Sequence, residues 1–230
     1  MKERGILFSD AMVRAILAGK KTQTRRAMKL EVPESVGSEP YFMYGKRGHS
    51  GPGWYVGDGE YLDEGSEHLG HCPYGVAGDR LWVREATLDD GGGEPGNLHY
   101  RSCATPADIA SLKAAGHRWT PSLLMPRSRS RITLEITNVR VERAQAISDA
   151  DIAAEGVDAE AVEALWSAAK VKRKVECGPV ASIMSGGDEL DIHDAPPKEL
   201  WRLAWTLING RESWEANPFV WVIEFKVVPR

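Results

Sequence analysis

Residues 131–145 read RITLEITNVRVERAQ. Ile132, Leu134 and Ile136 alternate with polar neighbours, the pattern of a strand that buries one face. Val139 and Val141 carry the alternation on in shifted register, which predicts a bulge or bend near Asn138. FVWVIEFKVV at 219–228 alternates almost strictly and predicts a second long strand. GDRLWVREA at 78–86 predicts a Gly-Asp turn and a strand, with Leu81 and Val83 on one face and Trp82 and Arg84 on the other. NLHYRS at 97–102 is a candidate partner strand.

Helices fall between these strands. DAMVRAILA at 10–18 brings Met12, Val13, Ile16 and Leu17 to one face, with Ser9 or Asp10 as cap and Gly19 as stop. TPADIASLKAAG is capped by Thr105, starts on Pro106 and ends at Gly116. Ser148-x-x-Asp151 opens a short helix that closes on Gly156. A further helix is expected from about Ala159 to Val171, and another over PPKELWRLAWTLING up to Gly210. Trp201 and Trp205 lie four apart with Leu200 and Leu203 and read as core. Residues 31–79 are dense in Gly and aromatics and read as a long loop with one short hairpin. Residues 172–195 read as loose. The order predicts an α+β fold with a small curved sheet or partly closed barrel.

The totals are those of a globular domain. The 230 residues are 42% hydrophobic and 27% charged, with a net charge of -4. That balance argues against nucleic-acid binding driven by overall charge. No apolar run approaches the length of a membrane span, and Asp10 and Arg14 interrupt any signal-like core. Cys72, Cys103 and Cys177 are too few and too scattered for a disulfide framework, so a cytoplasmic location is expected. His68, His71 and Cys72 sit together, but a zinc site would also need His49, His99 or Cys103 from distant loops. No metal and no cofactor are expected.

ILAGKKTQTRR at 16–26 places four cations and two threonines directly behind a helix stop. A hydroxyl becomes a nucleophile when a neutral amine is near enough to take its proton. Free lysine has a pKa of about 10.4, but burial and neighbouring charge from Lys20, Arg25 and Arg26 would lower it. Geometry raises an objection, because positions 21 and 24 of an ideal strand point to opposite faces. A turn after Gly19 would remove it. Glu85 in WVRE is a second carboxylate candidate near a sheet rim, and Trp82 could stack on a base. Arg127, Arg129 and Arg131 alternate in MPRSRSRI and would form a positive stripe on a strand, suited to phosphates.

The stretch ILAGKKTQTRR, the GDRLWVRE turn and strand, the RITLEITNVRVER strand and the closing WVIEFKVV together resemble the ASCH domains of the PUA-like superfamily. The long form, with its Gly- and Trp-rich segments, is similar to members often encoded by phages and prophages. This resemblance implies a single domain over 1–230, built as a small β-barrel with surrounding helices and insertions at about 31–75, 87–120 and 158–198. It also implies a cleft for a nucleoside or RNA. One bacterial branch removes the acetyl group from N4-acetylcytidine with a Lys and a Thr of the A-G-[KR]-K-T-x-T stretch and a Glu in a short helix after the long strand. Those positions match Lys21, Thr24 and Glu155. Arg26 matches a basic residue of the same stretch, with Arg25 beside it as a further substrate contact. Amidohydrolase activity is the first expectation. A binding module for RNA or a modified nucleotide, without chemistry, is the second, and a ribonuclease the third.

Overall fold

The computed structural model describes residues 1–28, 41–43, 53–56, 67–91, 98–173 and 192–229. In chain order these form β1 (Glu3–Leu7), α1 (Asp10–Leu17), β2 (Gln23–Ala27), β3 (Tyr41–Met43), β4 (Gly53–Val56), β5 (Glu67–Gly70), β6 (Arg80–Arg84), β7 (Thr87–Asp89) and β8 (Leu98–Tyr100). Then follow α2 (Pro106–Ala114), β9 (Thr133–Arg143), α3 (Asp149–Ala154), α4 (Ala159–Arg173), α5 (Pro197–Asn209), α6 (Arg211–Glu215) and β10 (Phe219–Val228). Short 3₁₀ turns lie at Arg101–Cys103, Ser122–Leu124 and Arg127–Arg129. The fold is α+β.

The main sheet has the order β1-β6-β9-β10-β2. β1 runs parallel to β6, and the other pairs are antiparallel. The break in apolar period in β9 is a bulge. Glu224 pairs with Asn138 and Phe225 with Ile136, so Thr137 is the extra residue. One extra residue shifts the pleat by one position, and Val139 and Val141 therefore join Leu134 and Ile136 on the inner face. Those four pack with Ile6, Leu81, Val83, Trp221, Ile223 and Phe225, and Val13 and Ile16 of α1 enter the same core. The outer face of β10 offers Val220 and Val222, which Ile152, Trp201 and Trp205 cover. α4 seats Val162 against Leu200, Leu203 and Ala204 of α5.

A closed barrel is not what forms. Among the described residues β1 and β2 are the edges of the five-stranded sheet, and no ladder joins them. The link between them is a side chain: Arg26 Nη2 donates to the Leu7 carbonyl at 2.5 Å. The rings of Phe8 and Tyr74 lie 5.2 Å and 6.0 Å from the same guanidinium.

The segments expected as insertions contain regular structure. β3, β4 and β5 form an antiparallel sheet, where one hairpin was expected. β8 pairs with β7 rather than with β6. The expected loose stretch lies for the most part outside the described residues. Among the described residues, no helix is long and apolar enough to cross a membrane.

Candidate functional site

Lys21 is placed by the way α1 stops. Gly19 takes a left-handed φ of 71°, open to glycine without steric penalty. The N–H groups of Lys20 and Lys21 then both donate back to the Ala15 carbonyl. Thr22 N–H donates to the carbonyl of Ala154, and Phe225 N–H donates to the carbonyl of Thr22. These bonds fasten the turn between the end of α3 and β10. Lys21 thus precedes β2, and the opposite-face objection does not apply to it. Lys21 and Thr24 are each 2% exposed and line one cavity.

Glu155 comes from the other side. Ser148 caps α3 by accepting from Asp151 N–H, and Glu155 ends the helix just before Gly156, whose φ is 66°. Lys21 Nζ donates to Glu155 Oε2 at 2.5 Å and to the Glu155 carbonyl at 2.8 Å. The Glu155 side chain is buried, which rules out an exposed residue at a helix end. Its Oε1 has no hydrogen-bond donor among the described residues, and the nearest ion-pair contact is Arg25 Nη1 at 3.7 Å. Burial pushes the Lys21 ammonium pKa down. Glu155 opposes that shift, and the charges of Arg26 and Arg25 add to it.

The cavity has a volume of about 100 Å³. That is several times what one water needs. Its polar wall is Lys21, Thr24, Arg25, Arg26, Glu155 and Asn209, and its apolar wall includes Met12, Val157, Leu165, Trp201, Trp205 and Ile208. Among the described residues the Thr24 side chain makes no hydrogen bond. A buried hydroxyl, an amine and an unpartnered carboxylate oxygen therefore share a small, largely apolar space. The two tryptophans are core residues, as expected, and also cavity walls. Sequence reading missed that second role, and the only signal for it was the apolar face of α5 that carries them.

Arg25 lines the cavity, but its guanidinium is engaged. It donates to Glu142 Oε2 at 2.8 Å, to Asp151 Oδ2 at 3.1 Å and to the Gln23 side-chain oxygen. It also lies 5.9 Å from the Trp201 ring. Arg140 ties Asp151 to Glu142 and Glu224 on the same outer face of the sheet. Burial pushes the Asp151 carboxyl up, but the bonds from Gln23 and Arg140 and the charges of Arg25 and Arg140 outweigh it and hold the pKa at about 2. Arg25 thus reaches the cavity wall with its guanidinium already held, and its Nη1 lies 3.7 Å from Glu155 Oε1.

Other expected site residues lie elsewhere. Glu85 is 1% exposed and takes a fork from Arg131 at 2.8 Å and 2.9 Å, with Ser102 Oγ at 2.5 Å. It is a buried structural carboxylate, not a solvated one at a rim. Trp82 is buried under Arg84, 4.5 Å from its guanidinium, and does not line the cavity. The positive stripe does not form. Pro126 leads into a 3₁₀ turn at Arg127–Arg129, and the strand begins only at Thr133. Each arginine also has its own acid: Arg127 with Glu3, Arg129 with Asp89 and Arg131 with Glu85. Among the described residues, no three His, Cys, Asp or Glu side chains are grouped to hold a metal ion.

Comparison of the chain with models of known protein families, with characterised proteins and with solved structures finds no match.

Proposed function

We propose that the chain is an amidohydrolase that deacylates an N-acylated nucleobase of the N4-acetylcytidine type. The observation that carries this reading is that the buried Lys21–Glu155 pair and Thr24 line one cavity. A lysine used as a base must be neutral, and desolvation lowers its pKa in that direction. Lys21 Nζ takes the proton of the Thr24 hydroxyl or of a water, and the oxygen attacks the acyl carbonyl carbon. The negative charge that builds on the carbonyl oxygen is met by Arg26, which lines the same cavity. The C–N bond then breaks, and the proton returns through Lys21 or Glu155 to the departing amine. If Thr24 is the nucleophile, a water releases the acyl group by the same path in reverse. The sum is amide plus water giving carboxylic acid plus amine.

A ribonuclease reading has less support, since the three arginines that would have faced phosphate are each paired. A binding module without chemistry leaves the buried base beside an unengaged hydroxyl without a purpose.

The test is turnover. Purified protein is mixed with N4-acetylcytidine and cytidine release is followed by chromatography, beside Lys21→Ala and Thr24→Ala. The expected result is release by the wild type, lost in both variants. No release by a folded, ligand-free wild type would reject this substrate and move the weight to the binding module.

A further inference from the structure

A second, larger space adjoins the candidate site. The cavity with Lys21, Thr24 and Glu155 measures about 100 Å³, and the neighbouring groove about 670 Å³. Ala11 of α1 and Leu165 of α4 line both, so the two share a wall. The small cavity has room for the reacting end of a nucleoside, and the rest of the molecule must lie beyond it. The groove is the larger space on that side.

Its charge is specific. Arg14 lines the groove and follows Ala11 by three positions on α1, so the two side chains leave one helix face about 5–6 Å apart at Cβ. Among the described residues, no carboxylate lies within ion-pair reach of Arg14, and its one hydrogen bond is a 3.3 Å contact with the Ser102 carbonyl. Arg101 gives only its Nε to Asp10, at 2.6 Å. Arg14 Nη2 and both terminal nitrogens of Arg101 are thus uncommitted among the described residues, while Arg14 Nη1 makes the bond to Ser102. Arg14 is set apart from Lys20, Arg127, Arg129 and Arg131, each of which has an acidic partner, and also from Arg101, whose partner Asp10 lines the groove as well. Phe8 and Leu165 give the groove apolar walls, which strengthen charge attraction near them.

We infer that this groove is a phosphate subsite, and that the substrate is a phosphorylated nucleotide with an acylated base rather than the free nucleoside. Arg14 is its principal cation and Arg101 the second. A phosphomonoester carries close to two negative charges, and its oxygens match the fork of a guanidinium. The identity of the base rests on the amidohydrolase reading, whereas the phosphate subsite stands on the groove alone.

The experiment compares kcat/KM for N4-acetylcytidine with that for its 5′- and 3′-monophosphates, in wild type, Arg14→Gln and Arg211→Gln. Arg211 is a surface residue paired with Glu215 and serves as control. The expected result is a preference of about tenfold or more for one monophosphate, from KM, which collapses in Arg14→Gln and persists in Arg211→Gln. Equal KM values in the wild type, or a preference unchanged in Arg14→Gln, would overturn the inference and leave the hydrolase reading standing. If nothing is turned over, the hydrolase reading has failed, and calorimetric titration with cytidine and its two monophosphates decides the subsite. Tighter binding of a monophosphate that depends on Arg14 upholds it, and equal affinities overturn it.

Discussion

Glu155 holds Lys21 twice, with its side-chain Oε2 at 2.5 Å and its own carbonyl oxygen at 2.8 Å. Both groups are buried, so each is the other's main compensation for lost water. Removing one partner leaves a polar group stranded. Lys21→Met and Glu155→Met should each lower stability by about 3–5 kcal/mol. The double variant should lose clearly less than the sum, because neither group is then left alone. Urea unfolding of the four proteins gives the coupling directly, and strictly additive losses would contradict a coupled pair.

The same geometry fixes a pH dependence. Burial lowers the Lys21 pKa, so its proton leaves below the ordinary value of about 10.4. Between the folded and unfolded values the unfolded chain binds more protons, and stability therefore rises with pH across that window. kcat/KM should rise with pH as well and reach a plateau below pH of about 10.4. Arg25→Met removes a neighbouring charge that pushes Lys21 down, so the midpoint should move up. A pH-independent rate would exclude Lys21 as the base.

Gly156 offers a steric test. Its φ is 66°, and a Cβ added there would sit 3.2 Å from Lys21 Cβ and 3.3 Å from Ala15 Cβ. At Gly19, with φ 71°, nothing lies within 4 Å of such a Cβ. Both Gly→Ala changes should lose about 1–2 kcal/mol through the left-handed backbone. Only Gly156→Ala crowds Lys21, so it should lose much more turnover than Gly19→Ala. Equal losses in a kinetic comparison of the two would argue against tight placement of Lys21.

Acid stability should depend on Asp151. Its folded pKa of about 2 lies below the ordinary 3.8. A depressed carboxylate stabilises the fold above its unfolded pKa and loses that contribution as pH falls through the folded one. The window runs from about pH 4 to pH 2, and the contribution is about 2 kcal/mol. Asp151→Asn should lower stability at neutral pH and flatten the acid limb over that window. Thermal melts of both proteins across pH 2–7 (about five points) would show it.

Much of this architecture could be read from local pattern. β9 and β10 follow from alternation, the bulge from the step between Ile136 and Val139, and the ends of α3 from Ser148 and Gly156. Lys21 and Thr24 stand out in one stretch, Glu155 is implied only by the family resemblance, and all three line one cavity. What failed was the fate of charges. Spacing alone cannot reveal that Glu85 is buried by Arg131, 46 positions away, or that Arg127 finds Glu3 across 124 positions. Arg25 was legible as a cation but not as the centre of a cage of acids, because Glu142 and Asp151 reach it only once the sheet has formed. The parallel pairing of β1 with β6 left no local mark either, since β1 is five residues long and half exposed.

The position of β10 bears on when the protein becomes competent during its synthesis. Residues 219–228 lie between β9 and β2, so the latest described strand to leave the ribosome is an interior strand of the sheet. Until it emerges, β2 lacks the one strand it pairs with among the described residues, and the turn that carries Lys21 lacks its bond from Phe225. Contacts over 134 residues, like that of Lys21 with Glu155, are also slow to form. The turn that carries Lys21 therefore cannot be completed before residues 219–228 have emerged and inserted between β9 and β2.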